Sequence, residues 1–223
     1  MSWEKGEARL HLREDDVVRL MLEFICSRQF HISQLSLERE SGVINGVYSD
    51  DVLFLRQLIL DGQWDDVSEF IQPLEGLSSF DSRQFQYIVL RQKYVELLCI
   101  KSEAGLVLNV DTAVDEVVRV LAQLEKLCPN KETYNHLCLL LTLPKLVDHA
   151  DYRDWNPSSA RVRCFQQVYP LVDKFLPYEK PVKDPEASAS MEATNDRLIH
   201  LLIKGHYSFR FDFFIAISLF LFI

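Results

Sequence analysis

The spacing of apolar residues predicts helices along almost the whole chain. After Ser49, which suits a helix N-cap, apolar residues recur every three or four positions until Gly62, a typical helix stop. These residues are Val52, Leu55, Leu58 and Ile59. No segment shows a sustained alternation of apolar and polar residues bounded by hairpin turns, so we predict an all-α fold.

The same periodicity and punctuation divide the chain into separate helices. We predict helices over residues 16–28, 33–41, 50–61, 63–72, 80–100, 111–127, 133–142, 159–175 and 195–204. Gln72-Pro73 is expected to end the fourth, because the residue before a proline disfavours the helical conformation. Pro170 is expected to kink the eighth. Residues 101–109 and 147–157 are predicted to be loops or short turns.

Several stretches resemble modules of one known helical family. Residues 19–25, Phe30 and residues 33–42 resemble a LisH motif, a helical hairpin known for dimerisation. Residues 59–64 and 92–98 match the most recognisable stretches of the CTLH domain, and residues 111–176 resemble the all-helical CRA region. The chain is therefore similar to the LisH–CTLH–CRA family, which implies helices packed as one antiparallel assembly. Gln29 replaces a glycine of the LisH pattern, so we expect a different turn there.

Longer runs point to a narrower group within that family. Residues 53–65, 70–75, 137–144 and 154–158 are together similar to neuronal microtubule-associated WD-repeat proteins. The resemblance implies a LisH segment over residues 14–46, a CTLH domain over 47–102 and a CRA-like helical region over 110–178. Composition and periodicity add a flexible terminus over 1–13, a linker over 179–193, a further helix over 194–206 and an atypical apolar tail over 207–223.

The tail differs in composition from everything before it. Residues 213–223 form an uninterrupted apolar run, which as a helix would span about 16 Å, roughly half of a bilayer core. Such a run is prone to aggregate if it is exposed. We expect a truncated product of alternative splicing or an incomplete gene assignment. A membrane-dipping tail and a packed terminal helix or strand are the alternatives.

Charge and cysteine content restrict the class of partner and the compartment. A net charge of -9 argues against nucleic-acid binding and against direct docking on the acidic microtubule surface. The amino terminus lacks the apolar core of a signal peptide, and the five cysteines fit no disulfide framework. We therefore predict a cytoplasmic protein that reaches the cytoskeleton through partners. All cysteines except Cys128 are expected to be small buried residues.

No recognisable catalytic, cofactor or metal pattern emerges. The glycines form no phosphate-binding loop. The spacing of Cys128, His136, Cys138 and His149 is not that of known zinc sites. Asp148, His149 and Asp151 could supply an acid–base pair, although polar loop residues beside a helix end are commoner. We therefore predict no enzyme activity, no cofactor and no metal.

The amino-terminal hairpin contains more large apolar residues than so small an element can bury by itself. This excess indicates a protein–protein interface. The dimerisation candidates are Leu20, Met21, Phe24, Ile25, Phe30, Leu35 and Leu37; the alternative is packing against later helices of the same chain. Weaker partner-binding candidates are Trp64, Phe70 and Trp155, for which helical periodicity favours a core position over a partner-binding one.

The resemblance implies a homodimeric, non-enzymatic scaffold in neuronal development. Its partners would be microtubule-associated or minus-end-binding proteins, without nucleic acid and without direct membrane insertion. One alternative is a subunit of a CTLH-type ubiquitin-ligase assembly, which uses the same helical modules. The other is a membrane-anchored fragment held by residues 207–223.

Overall fold

The structure, a computed structural model, describes residues 13–103, 110–178 and 193–206; side chains are described for 13–100, 114–178 and 193–206. These residues form nine α-helices and two short 3₁₀ turns without a β-strand, which confirms the all-α prediction. The chain divides into two compact units, residues 1–47 with 180–223 and residues 48–179. The packing of all helices as one assembly stays a prediction.

The first unit contains the amino-terminal hairpin. Helix α1 spans Glu14–Ser27, with acidic residues in its first turn where they complement the helix dipole. Helix α2 spans His31–Ser41 and ends at Gly42, whose φ of 70° is the left-handed conformation of a helix C-cap. The buried apolar residues of the hairpin are Leu20, Leu22 and Leu35.

A late segment of the chain belongs to this same unit. Ala193 is buried, and its backbone N–H and C=O both bond to the side-chain amide of Asn45 at 3.0 Å. The following helix, α9, spans residues 197–206 and passes through Gly205, so the predicted start at Asn195 and stop at Gly205 are wrong. The cause of the later start is tertiary, because the Glu23 carboxylate accepts hydrogen bonds from the N–H groups of residues 196 and 197.

The second unit contains the remaining helices. They are α3 (Asp50–Asp61), α4 (Trp64–Glu75), α5 (Ser82–Glu103), α6 (Val110–Leu127), α7 (Lys131–Thr142) and α8 (Pro157–Val172), with 3₁₀ turns at Leu146–Asp148 and Ala150–Tyr152. Side-chain oxygens of Ser49, Asn130 and Asn156 accept the N-terminal N–H groups of α3, α7 and α8. These local caps explain why several predicted helix starts lie within two residues of the observed ones.

Two apolar clusters form the core of the second unit, and α5 contributes to both. Its first half places Phe85 and Val89 against α3, α4 and α8. Its second half places Tyr94 and Leu98 against α6, α7 and the 3₁₀ turns. An apolar helix covered by neighbours on several sides is what the sequence predicts for this segment.

Several other boundaries differ from the predictions by up to three residues; α5, for example, continues to Glu103, where a loop was predicted from residue 101. Two of the differences can be traced to particular contacts. Helix α4 continues through Pro73 to Glu75, although Pro73 lacks the N–H that would donate to the carbonyl of Glu69. The packing of Leu74 on the first cluster offsets the loss of this one hydrogen bond. Helix α5 begins at Ser82 instead of Phe80, since the Asp81 side chain accepts the N–H of Gln84 as an N-cap.

The cysteine prediction needs one correction. None of the five cysteines, all of which lie in the described part of the chain, forms a disulfide. However, Cys128 is buried, whereas Cys26, Cys99 and Cys138 are only partly buried. Cys128 directly follows α6 and belongs to the second cluster. The Arg83 guanidinium donates to the carbonyls of Lys126, Leu127 and Cys128. Tertiary packing therefore buries Cys128, although the proline that follows it ends the helix.

The predictions for the flexible amino terminus, for most of the linker and for the apolar tail concern residues 1–12, 179–192 and 207–223, which lie outside the described residues. None of the helices that the structure describes is both long enough and apolar enough to span a bilayer.

Candidate functional site

The predicted dimerisation residues divide into a buried set and an accessible set. Leu20 and Leu35 are buried inside the first unit. Phe30 and Met21 are exposed by 56% and 43%, and three further residues are partly buried, namely Phe24, Ile25 and Leu37. Ile32, which was not among the predicted residues, is 54% exposed beside Phe30. The hairpin therefore presents large apolar side chains to its surroundings.

The turn between α1 and α2 contains a residue with a strained backbone conformation. Gln29 has a φ of 60°, the left-handed conformation that favours glycine. Its N–H donates to the carbonyl of Cys26 at 2.9 Å, and the N–H of Phe30 donates to that of Ile25 at 3.0 Å. These bonds close the end of α1, so the glutamine adopts the glycine geometry although the sequence led us to expect a different turn.

A buried ion pair lies in the second unit, between α5 and α8. Glu96 accepts from Arg161 through both oxygens, with Nε–Oε1 of 2.9 Å and Nη2–Oε2 of 2.7 Å. Gln92 and the indole Nε1 of Trp64 donate to the same carboxylate at 2.9 and 3.2 Å. The bond to Glu96 raises the pKa of Arg161 above its ordinary value, so this guanidinium stays charged.

The same arginine reaches the end of α3. Its Nη1 donates to the carbonyl of Leu60 at 3.0 Å, and its guanidinium lies where a Cβ at position 62 would stand. Gly62 is thus required twice, by its φ of 75° and by the close approach of Arg161. Four elements meet at this cluster, which we interpret as an organising contact of the fold because its charges are satisfied internally.

The weaker partner-binding candidates lie in three different settings. Trp64 is 7% exposed within the first cluster and bonded to Glu96, which favours the core position over a partner-binding one. Phe70 is partly buried and makes an edge-to-face contact with Phe54, with centroids 5.3 Å apart. Trp155 packs on the second cluster and lines a cleft of about 250 Å³.

Beside this cleft, the structure brings His136 together with His149 and Asp151, which lie two residues apart at the 3₁₀ turns. The rings of His136 on α7 and His149 between the 3₁₀ turns have centroids 5.0 Å apart at 80°. The carboxylate of Asp151 lies 3.7 Å from Nδ1 of His149. Potential donor atoms of these three residues lie within 4.8 Å of one another, and no other such group occurs among the described residues. Cys128 and Cys138, whose spacing from the histidines does not fit a known zinc site, do not belong to that group.

Sequence reasoning missed the residues that depend on distant partners. Glu96 interrupts the apolar run of α5, and a lone carboxylate in such a run is a signal that a cation must face it. That signal does not identify Arg161, which is 65 residues away. His136 and Asp151 also belong to different elements.

Comparison with known proteins gives a local similarity. No protein-family model matches the chain. The chain is 28% identical over 83 residues to a WD repeat-containing protein of Dictyostelium discoideum. The match covers 37% of this chain and 14% of that protein, so the chain spans a small part of the length of its relative.

Proposed function

We propose that this chain is a non-enzymatic, homodimerising scaffold of the LisH–CTLH–CRA type that binds microtubule-associated or minus-end-binding proteins. The observation that carries the proposal is the exposure of Phe30, Ile32 and Met21 on a hairpin with few buried residues of its own. Large apolar side chains that remain exposed on a small element are typical of protein–protein interfaces. The sequence resemblance supplies the class of partner, and the Dictyostelium relative is itself a WD repeat-containing protein.

Sedimentation of the full chain tests the dimer. We expect wild type to sediment as a dimer at micromolar concentration and Phe30→Asp as a monomer, because a carboxylate at an apolar contact loses its hydration. Leu139→Asp is the matched control, since Leu139 is 53% exposed on α7. Equal masses for wild type and Phe30→Asp, with unchanged circular dichroism, would contradict the dimer.

Attachment to microtubules would then be indirect. The net charge of -9 opposes binding to an acidic lattice, with screening over roughly 8 Å at physiological salt. Purified chain should stay in the supernatant when polymerised tubulin is pelleted, and pellet only after a brain lysate supplies its partners. Pelleting of the pure, unaggregated chain would refute an adaptor role.

Mass spectrometry of proteins that co-purify with the chain discriminates between a microtubule adaptor and a subunit of a ubiquitin ligase. Recovery of ubiquitin-ligase subunits would favour the CTLH assembly.

A further inference from the structure

The cluster of His136, His149 and Asp151 has the donor chemistry of a metal site. Two imidazoles and one carboxylate are a ligand set that suits zinc among the biological divalent cations. The three side chains come from α7, from the residue between the 3₁₀ turns and from the second of those turns. Their donor atoms already lie within 4.8 Å of one another.

Two groups with electron pairs, a ring nitrogen of His149 and the carboxylate of Asp151, lie close together. Its Nδ1 accepts the backbone N–H of Asp151 at 3.2 Å, so this nitrogen carries a lone pair. The Asp151 carboxylate oxygen lies 3.7 Å from the same nitrogen. A cation between them would take the Nδ1 lone pair in place of the backbone N–H, which Asp151 can release to water because it is exposed. His136 stands edge-on to the imidazole of His149, close enough to add a third ligand.

The separations require only small side-chain movements. Ligands of a tetrahedral zinc ion at about 2.0–2.1 Å stand roughly 3.3 Å apart. Asp151, whose side chain is 71% exposed, is free to rotate towards the histidines. His136 and Asp151 both line the cleft that contains Trp155, so an ion bound there would have a path to solvent.

We propose that His136, His149 and Asp151 bind a zinc ion, with a fourth position left for water or for an acidic group of a ligand in the cleft. The ion would tie α7 to the 3₁₀ turns that precede α8, and would thereby stabilise the second unit. This site is independent of the proposed dimer.

Competition titration of the full chain with zinc ions and a chromophoric chelator tests the proposal. We expect one ion per chain, and a loss of affinity of more than about tenfold in each of His136→Ala, His149→Ala and Asp151→Asn. Asp151→Asn is the safest variant, because it keeps the size of an exposed side chain and the backbone N–H bond. His200→Ala and Cys138→Ser are the controls and should bind as wild type does.

Two outcomes would overturn the site. One is an unchanged zinc affinity in Asp151→Asn, together with no rise in melting temperature when zinc is added to wild type. The other is loss of binding in Cys138→Ser, accompanied by a thiolate charge-transfer band when cobalt replaces zinc, which would show that a cysteine holds the ion. A normal circular dichroism spectrum of each variant confirms that it has folded.

Discussion

The carboxylate of Glu96 receives the guanidinium of Arg161 in a two-point contact, with nitrogen–oxygen distances of 2.9 and 2.7 Å. The side chain of Glu96 is 9% exposed and that of Arg161 24% exposed. The pair joins α5 to α8, and through the carbonyl of Leu60 it also joins the end of α3. A charge pair so enclosed is costly to break from one side, because the remaining charge has lost most of its water.

Arg161→Met should therefore lower the free energy of unfolding by about 3 kcal/mol, since Glu96 is left buried and unpaired. Urea denaturation followed by circular dichroism measures this. The double variant Arg161→Met/Glu96→Gln should lose less free energy of unfolding than the two single variants lose together, and the difference should be about 1 kcal/mol or more. Asp65→Ala is the control: its bond to Lys93 is exposed, so the cost should stay below about 1 kcal/mol. Strict additivity of the two changes would contradict coupling.

Gly62→Ala should cost more than Gly42→Ala, although both glycines are left-handed, with φ of 75° and 70°. A Cβ at Gly42 meets no atom within 4 Å, so that change costs only the backbone strain of about 1 kcal/mol. A Cβ at Gly62 displaces Arg161 as well, and we expect roughly 3 kcal/mol in total. The excess should shrink in the Arg161→Met background, and equal costs for both glycines would refute the steric argument.

Gln29→Gly should stabilise the protein by about 0.5–1 kcal/mol, because glycine reaches the φ of 60° without the penalty that glutamine carries. The gain is partial, since glycine also has more freedom in the unfolded chain. Thermal melts of the two proteins measure the difference. Gln29→Ala, which keeps the strained position, should give no gain, so an equal effect of both substitutions would rule out backbone strain as the cause.

Alkaline pH should destabilise the second unit through Cys164. Burial raises the pKa of this thiol from 9.0 to about 12, so the unfolded chain loses the proton first. Between these two values the folded state binds more protons than the unfolded state, and stability therefore falls as pH rises. The loss attributable to this thiol should reach about 1.4 kcal/mol at pH 10.

The control for this prediction is Cys164→Ala, which removes the titrating group. The variant should be less stable at neutral pH, because a buried atom is lost, but its stability should fall less steeply between pH 9 and 10. Parallel slopes for wild type and variant in urea titrations would mean that the buried thiol does not control the alkaline transition.

The sequence predicted best those features that depend on neighbouring residues. Helix α3 ends at Asp61 as expected, because the serine cap before it and the left-handed glycine after it act within one turn. The sequence predicted helix boundaries less well where a residue distant in sequence makes a contact at the helix end. Glu23 displaces the start of α9, and packing on the first cluster carries α4 beyond Pro73. The candidate sites show the same contrast between local and distant determinants. Phe30 was predicted as an interface candidate from its own hairpin, whereas the grouping of His136 with Asp151 depends on two different elements and was not predicted.

By itself the sequence determined the all-α class, most helix positions and the large apolar residues of the hairpin, because periodicity, capping and turn chemistry operate over a few residues. Only the tertiary structure decided which charges pair and which donors converge. Arg161 meets Glu96 across 65 residues, and Asn45 meets Ala193 across 148. Such contacts form because a buried polar group must find a partner wherever the folded chain brings one, and local sequence carries no record of that partner.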